Sequence, residues 1–404
     1  MNNTIIFAAA GNGKTYNICK EAVDLAEKNN KYILLLSYTN EGVHSLKTEY
    51  QKQNYGVIDK NVIIKTWYSF LLSELIKPYQ CLLKLNSNKT EHNIIIPENY
   101  IKSIAFYQDE QPPRGCTSSH IQYYINSARD IRKDNVSHLA VLCIEHSEKK
   151  VINRLQSIYS HIFIDELQDY AGWDLDIFEK LFESNIKVKC VGDYKQATFR
   201  TNNSSKNKQY RDENIKNYFE VQEKKNLCSI LYENTTRRFN QEICNYINTI
   251  HNDNTSTISP YKVGLNCDVE NIGVYILDNK YMEEYCCYYS PTILRYNKSS
   301  KIPFRHNCQV FNYGNSKGAT FERTVIIPVS TVIPFIKKNN EISSKQTRSK
   351  FYVACTRAKY SIVFAMDNPQ ETINFKKVDL MLGKSIIPAL KYDNNEDHVR
   401  KNFR

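Results

Sequence analysis

The sequence predicts an α/β protein of two blocks, each a mostly parallel sheet covered by helices, with a helical insertion in the first block. Three observations carry this. Short apolar runs alternate with amphipathic stretches through residues 4–75. The alternation breaks over 76–156 and resumes at Ile162-Phe163-Ile164, and a second series begins near Cys228. Apolar runs joined through helical stretches predict strands buried on both faces of a parallel sheet. At 404 residues the chain is long for a single core and suits two or more domains.

In chain order, strands are expected over 5–10, 32–37 and 62–65, each followed by a helix, over 14–27, 41–50 and 67–75. Residues 76–156 read as polar and helical, with a loop around Gln111-Pro112-Pro113-Arg114-Gly115. Strand 162–164, helix 175–182 and strand 188–191 complete the first block. The second is expected to hold helices over 240–250, 280–288 and 348–355 and strands over 274–277, 292–296, 324–328 and 361–365. The tail after about Ile387 reads as polar and mobile. The resulting division is 1–75 with 157–224, an insertion at 76–156, a second block at 225–390 and a tail at 391–404.

The run Ala8-Ala9-Ala10-Gly11-Asn12-Gly13-Lys14-Thr15 follows the first apolar run directly. Gly11 and Gly13 allow a tight turn whose N–H groups point inward at phosphate oxygens. Lys14 supplies a point charge for the β- and γ-phosphates, and the Thr15 hydroxyl is a ligand for Mg²⁺. Ala8 stands where the usual pattern has its first glycine. The nucleotide-contacting run is read as Ala8 to Tyr16. Further on, a hydrophobic strand ends in Asp165-Glu166-Leu167-Gln168-Asp169. Asp165 can hold the Mg²⁺ bound to Thr15, and Glu166 can orient and deprotonate an attacking water.

The net charge of +11 favours an anionic partner such as nucleic acid. The twelve cysteines include no C-x-x-C and suggest neither zinc nor an iron–sulfur cluster. With the first apolar run too short for a signal peptide or membrane span, the expected compartment is reducing cytoplasm.

From about residue 4 to 366 the chain resembles the superfamily 1 DNA helicases of the UvrD/Rep group. Ser37-Tyr38-Thr39-Asn40-Glu41 resembles their T-F-T-N-K segment, and Thr66-Trp67-Tyr68-Ser69-Phe70 their T-F-H-S-F segment. Val191-Gly192-Asp193-Tyr194-Lys195-Gln196 resembles V-G-D-x-x-Q, and Thr236-Arg237-Arg238-Phe239-Asn240 resembles N-Y-R-S. Ser316-Lys317-Gly318-Ala319-Thr320-Phe321 resembles S-K-G-L-E-F, and Tyr352 to Lys359 is close to Y-V-A-L-T-R-A-K. The resemblance implies two RecA-like P-loop NTPase domains that use ATP and Mg²⁺. It implies single-stranded DNA or a single-strand/duplex junction as partner, and movement in the 3′-to-5′ direction. By the same resemblance Gln196 senses the γ-phosphate and Arg357 is the arginine finger. Arg238 contacts phosphate, with Arg237 as the alternative. Gly318 lies on the nucleotide side, and Tyr38, Asn40, Thr66, Trp67 and Lys317 on the DNA side. ATP would sit between the two blocks.

The chain also departs from that pattern. Few residues precede the first strand, which leaves no room for the adenine-reading glutamine. Thr320 replaces the motif glutamate, and Gly314 the histidine at that motif's start. Phe199-Arg200-Thr201-Asn202-Asn203 replaces an aromatic-Arg-Gly run, so a base-stacking aromatic is expected to be missing. About 80 residues separate Arg238 from Ser316, too few for a large second accessory domain. Lys206 to Phe219 interleaves cations with aromatics and reads equally as a strand-tracking groove or a solvated linker. A second functional reading is a DNA- or nucleotide-responsive ATPase subunit that gates a partner nuclease. The analogy there is to helicase subunits of antiviral, phage-defence systems.

Overall fold

The computed structural model describes residues 3–87, 90–105, 111–251, 253, 255–261, 269–338 and 340–393. Its chain forms two compact units. One comprises residues 1–7, 14–194 and 199–232; the other comprises 8–13, 195–198 and 233–404.

The first unit is built on β1 (Thr4–Ala8), β2 (Tyr32–Ser37), β3 (Val62–Thr66), β8 (Tyr159–Ile164), β9 (Lys187–Gly192) and β10 (Ser229–Glu233). Between β3 and β8 lie β4 (Lys84–Ser87), β5 (Thr90–Ile95), β6 (Ile104–Ala105) and β7 (Ile131–Arg132). The main sheet runs β10-β1-β9-β8-β2-β3, and β1, β9, β8, β2 and β3 are mutually parallel neighbours. The run Ile33-Leu34-Leu35-Leu36 is wholly buried because both faces of β2 are covered. Leu34 and Leu36 point into one apolar cluster with Ile5, Phe7, Ile162 and Ile164. Ile33 and Leu35 point into the other, with Phe163, Val191 and the helix residues Ile18, Ala22 and Leu46.

Local signals place the helices. Helix Asn40–Gln53 starts where the Thr39 side chain accepts from Gly42 N–H at 2.9 Å, with Glu41 in its first turn. Thr66 caps helix Trp67–Phe70 in the same manner, and that helix continues as a π-helical turn, Leu71–Ile76. The 76–156 segment supplies helices Val136–His146 and Lys150–Ile158. It also holds two small sheets that its polar composition hid, β4 with β5 and β6 with β7. Its Ile101, Tyr124, Ile131 and Leu139 share one core with Trp67 and Ile162.

One boundary differs from expectation. The strand after Cys228 is the edge strand of the first sheet, beside β1, and does not open the second block. Cys228 packs in the first core with Ile215, Tyr218 and Phe219, and Ser229 N–H bonds Asn3 carbonyl at 3.0 Å.

The second unit carries β11 (Gly273–Asp278), β12 (Thr292–Arg295), β13 (Val310–Asn312), β14 (Phe321–Ile326), β15 (Ala358–Met366), β16 (Phe375–Leu382) and β17 (Ser385–Tyr392), in the order β13-β12-β14-β15-β11-β17-β16. The first five neighbours are parallel, and β17 and β16 add an antiparallel edge. Ile276, Ile326 and Ile362 fill one face, while Leu277, Val325 and Val363 fill the other. The expectation of a polar, mobile tail after Ile387 is corrected here. Ile387, Ala389 and Leu390 are buried, and β17 pairs with β11. Residues 394–404 of the expected tail lie outside the described residues.

Candidate nucleotide and nucleic-acid site

Parallel strands end on one edge of their sheet, so β1, β2, β3, β8 and β9 deliver their following residues together. That edge collects Ser37 to Asn40, Thr66, Asp165 with Glu166, and Asp193. Thr15 Oγ1, at the start of helix Lys14–Ala26, donates to Asp165 Oδ2 at 2.9 Å. Asp165 is itself fixed through its backbone N–H, which bonds Leu36 carbonyl at 2.9 Å. Burial, then the charge of Glu166, push the Asp165 carboxyl above its usual range, against the Thr15 bond and Lys14. Glu166 has a left-handed backbone, φ +56, and its N–H bonds Asp165 Oδ1 at 2.8 Å. A hydroxyl beside a charge-strained carboxylate, with only oxygen donors, fits Mg²⁺ with the remaining ligands from water and phosphate.

The loop residues Ala8–Gly13 pack with the second unit. Ala8, Ala9 and Ala10 are buried, and Gly11 and Gly13 have φ of +77 and +97. Thr236 Oγ1 donates to Ala10 carbonyl at 2.7 Å, Arg237 N–H to Gly11 carbonyl at 2.9 Å, and Asn12 Nδ2 to Thr235 carbonyl at 3.0 Å. A Cβ on Gly11 would stand 2.5 Å from Arg238 Cβ, so both φ and space require glycine. Tyr16 is 44% exposed one residue after Thr15.

Arg238 Nη1 donates to Thr356 carbonyl at 2.9 Å. Arg357 is 1% exposed; its Nη2 donates to Gln196 Oε1 at 3.0 Å and to Thr356 Oγ1 at 2.9 Å. Gln196, Arg238 and Arg357 therefore meet around Thr356. Arg357 precedes β15 and Gly318 precedes β14, which puts both on the same sheet edge, and Phe321 N–H bonds Arg357 carbonyl at 2.9 Å. Gly318 has φ +85, and Lys317 beside it is half-buried.

The candidates for a nucleic-acid face divide. Asn40 is exposed at its helix start, and Thr66 is engaged as a cap. Tyr38 donates to Arg200 carbonyl at 3.3 Å and lies edge-on to Tyr68. Trp67 is a correction: it is 0% exposed, its indole donates to Asp174 at 2.6 Å, and it packs on Phe70, Tyr170 and Phe178. No face of that ring is open to a base. In the basic stretch, Arg200 pairs with Asp212 and Lys206 with Asp176. Lys206 also sits over the Trp173 ring, on which His138 stacks at 3.9 Å; burial, then Lys206, push His138 down to about 4. Phe199 remains 42% exposed at the start of the substituted run.

Three contributors escaped the sequence reading. Gln168 joins Glu166 to Asp193, Thr236 anchors the glycine loop, and buried Lys195 pairs with Asp253 at 3.0 Å. All three lay inside quoted motifs, so position was available as a signal, but Asp193, Ala10 and Asp253 are distant from them in sequence.

Strand, positive-φ glycine loop, Lys-Thr helix start and a strand-end aspartate bonded to that threonine define a P-loop NTPase of RecA-like α/β build. A family model described as the UvrD/REP helicase N-terminal domain matches residues 76–226, a stretch that includes Asp165-Glu166 and Val191 to Gln196. The ATP-dependent DNA helicase Rep of Buchnera aphidicola subsp. Schizaphis graminum is 25% identical over 232 residues, covering 48% of this chain and 35% of that protein. Over these stretches the chain is similar to the UvrD/Rep-like superfamily 1 helicases. It spans about a third of the length of that relative. Among solved structures, the PRRSV helicase matches 97% of this chain and 60% of its own at 15% identity and a TM-score of 0.40. The arterivirus nonstructural protein 10 helicase in complex with DNA matches 90% and 61% at 12% identity and 0.41. Among the described residues no helix is long and apolar enough to cross a membrane.

Proposed function

We propose that the chain hydrolyses ATP in response to single-stranded DNA and uses the cycle to move 3′ to 5′ along a strand, unwinding duplex at a junction. The observation that carries this reading is the 2.9 Å bond from Thr15 to Asp165, which ties the glycine-loop helix to the acidic strand end. The loop N–H groups, from Ala8 to Gly13, and Lys14 would hold the triphosphate. Thr15 and Asp165 would hold Mg²⁺, which neutralises charge on the β- and γ-oxygens when bound. Glu166 would take the proton of the attacking water. Arg238 and Arg357 would stabilise charge on the γ-phosphoryl, a role worth about 10³–10⁵ in rate in comparable systems. Gln196 is already bonded to Arg357, so a change at one is felt by the other. Tyr38, Asn40, Thr66 and Lys317 would form part of the strand-binding face. The alternative of a subunit gating a nuclease is not favoured by the helicase matches.

Direction is tested by strand displacement on duplexes with a 3′ or a 5′ single-stranded tail. The reading expects ATP-dependent unwinding of the 3′-tailed duplex only. Unwinding that requires a 5′ tail would reverse the assignment, and none on either would leave translocation without unwinding.

A further inference from the structure

We propose that Gln168 is a positioning residue that sets the Glu166 carboxylate and links it to the end of β9. The inference rests on the ATPase reading above. Gln168 is 2% exposed and both ends of its amide are engaged. Nε2 donates to Glu166 Oε2 at 2.5 Å, and Oε1 accepts from Asp193 N–H at 2.9 Å. The backbone of β9 is shaped around this amide. A Cβ on Gly192 would stand 2.6 Å from Gln168 Oε1 and 2.8 Å from Leu167 Cβ, so any side chain there displaces the glutamine.

The chemistry of the contact suits a base. An amide is a neutral donor, so it fixes one carboxylate oxygen without the charge pairing that would weaken it as a proton acceptor. Glu166 follows Asp165 in a left-handed turn, φ +56, and its backbone N–H is held by Asp165, so the side-chain bond to Gln168 orients the carboxylate further out. Asp193 lies three residues before Gln196. A shift of that strand end therefore reaches the base through a single side chain.

The test is single-turnover ATP hydrolysis by the full chain, with binding of a non-hydrolysable ATP analogue measured in parallel. Gln168→Met removes both bonds at nearly constant volume and is expected to slow hydrolysis about 10²-fold, the effect of misplacing a reacting group by roughly an ångström. Analogue affinity should stay within about twofold, because ground-state binding is untouched. Gly192→Ala should reproduce the loss. In a Glu166→Gln background, Gln168→Met should cost nothing further, since a residue acting through Glu166 has nothing left to act on. Gln168→Glu keeps the acceptor for Asp193 and loses the donor, so it carries the test if the methionine variant does not fold. An unchanged rate in Gln168→Met or Gln168→Glu, or an equal loss with and without Glu166, overturns the proposal. Hydrolysis in the unsubstituted chain that ignores Lys14→Ala and Glu166→Gln overturns the ATPase reading instead, and this inference with it.

Discussion

The indole of Trp67 donates to a carboxylate, Asp174, that also accepts from Ser137 and Asn202 and is wholly buried. Removing one donor leaves that carboxylate under-bonded in a dry core. Trp67→Phe is therefore expected to lower stability by about 1–3 kcal/mol in urea unfolding. Affinity for an oligo-dT strand should not change. A fall in strand affinity at unchanged stability would return Trp67 to the nucleic-acid face. The residue illustrates how a motif position can be legible as a motif while its role is not. An aromatic just after a strand end has the same spacing whether it stacks on a base or fills the core. Burial decides, and burial depends on Asp174, Tyr170 and Phe178, all more than a hundred residues away. The meeting of Thr15 with Asp165 was legible for the opposite reason: a helix start and a strand end on the same edge of a parallel sheet are both written in short local spacings.

The hairpin β16–β17 extends the second sheet past β11, and Leu390 from it is buried against Tyr246-bearing helix Gln241–Asn248 and β11 residues in one cluster. Leu390→Ala is expected to destabilise by about 2–5 kcal/mol, the usual range for emptying a buried leucine site, measured by chemical denaturation. A loss under about 0.5 kcal/mol would mean the hairpin is not part of the folded core, because that is the range of surface substitutions. The central parallel strands were readable because continuous apolar runs such as Ile33 to Leu36 have no other soluble use. This hairpin was not, since its strands alternate buried with exposed residues and carry Lys376, Lys377, Asp379 and Lys391 on or near the surface. β4 to β7 were hidden by the polar composition of their segment. The sequence near Cys228 read as the start of the second block, and neither β10 nor its place in the first sheet was legible, because an edge partner leaves no trace in local sequence.

A net charge of +11 favours an anionic polymer as partner. Part of the cationic surface is already matched internally, as at Arg200–Asp212 and Lys206–Asp176, so the electrostatic pull on DNA is smaller than the composition suggests. What remains should be sensitive to salt through counterion release. The most direct measurement is steady-state ATP hydrolysis by the full chain with and without poly-dT, at two salt concentrations, alongside Lys14→Ala. The account predicts hydrolysis stimulated by the strand, weaker stimulation at higher salt, and loss of turnover in the variant. Hydrolysis that is absent, indifferent to the strand, or intact in Lys14→Ala would contradict it.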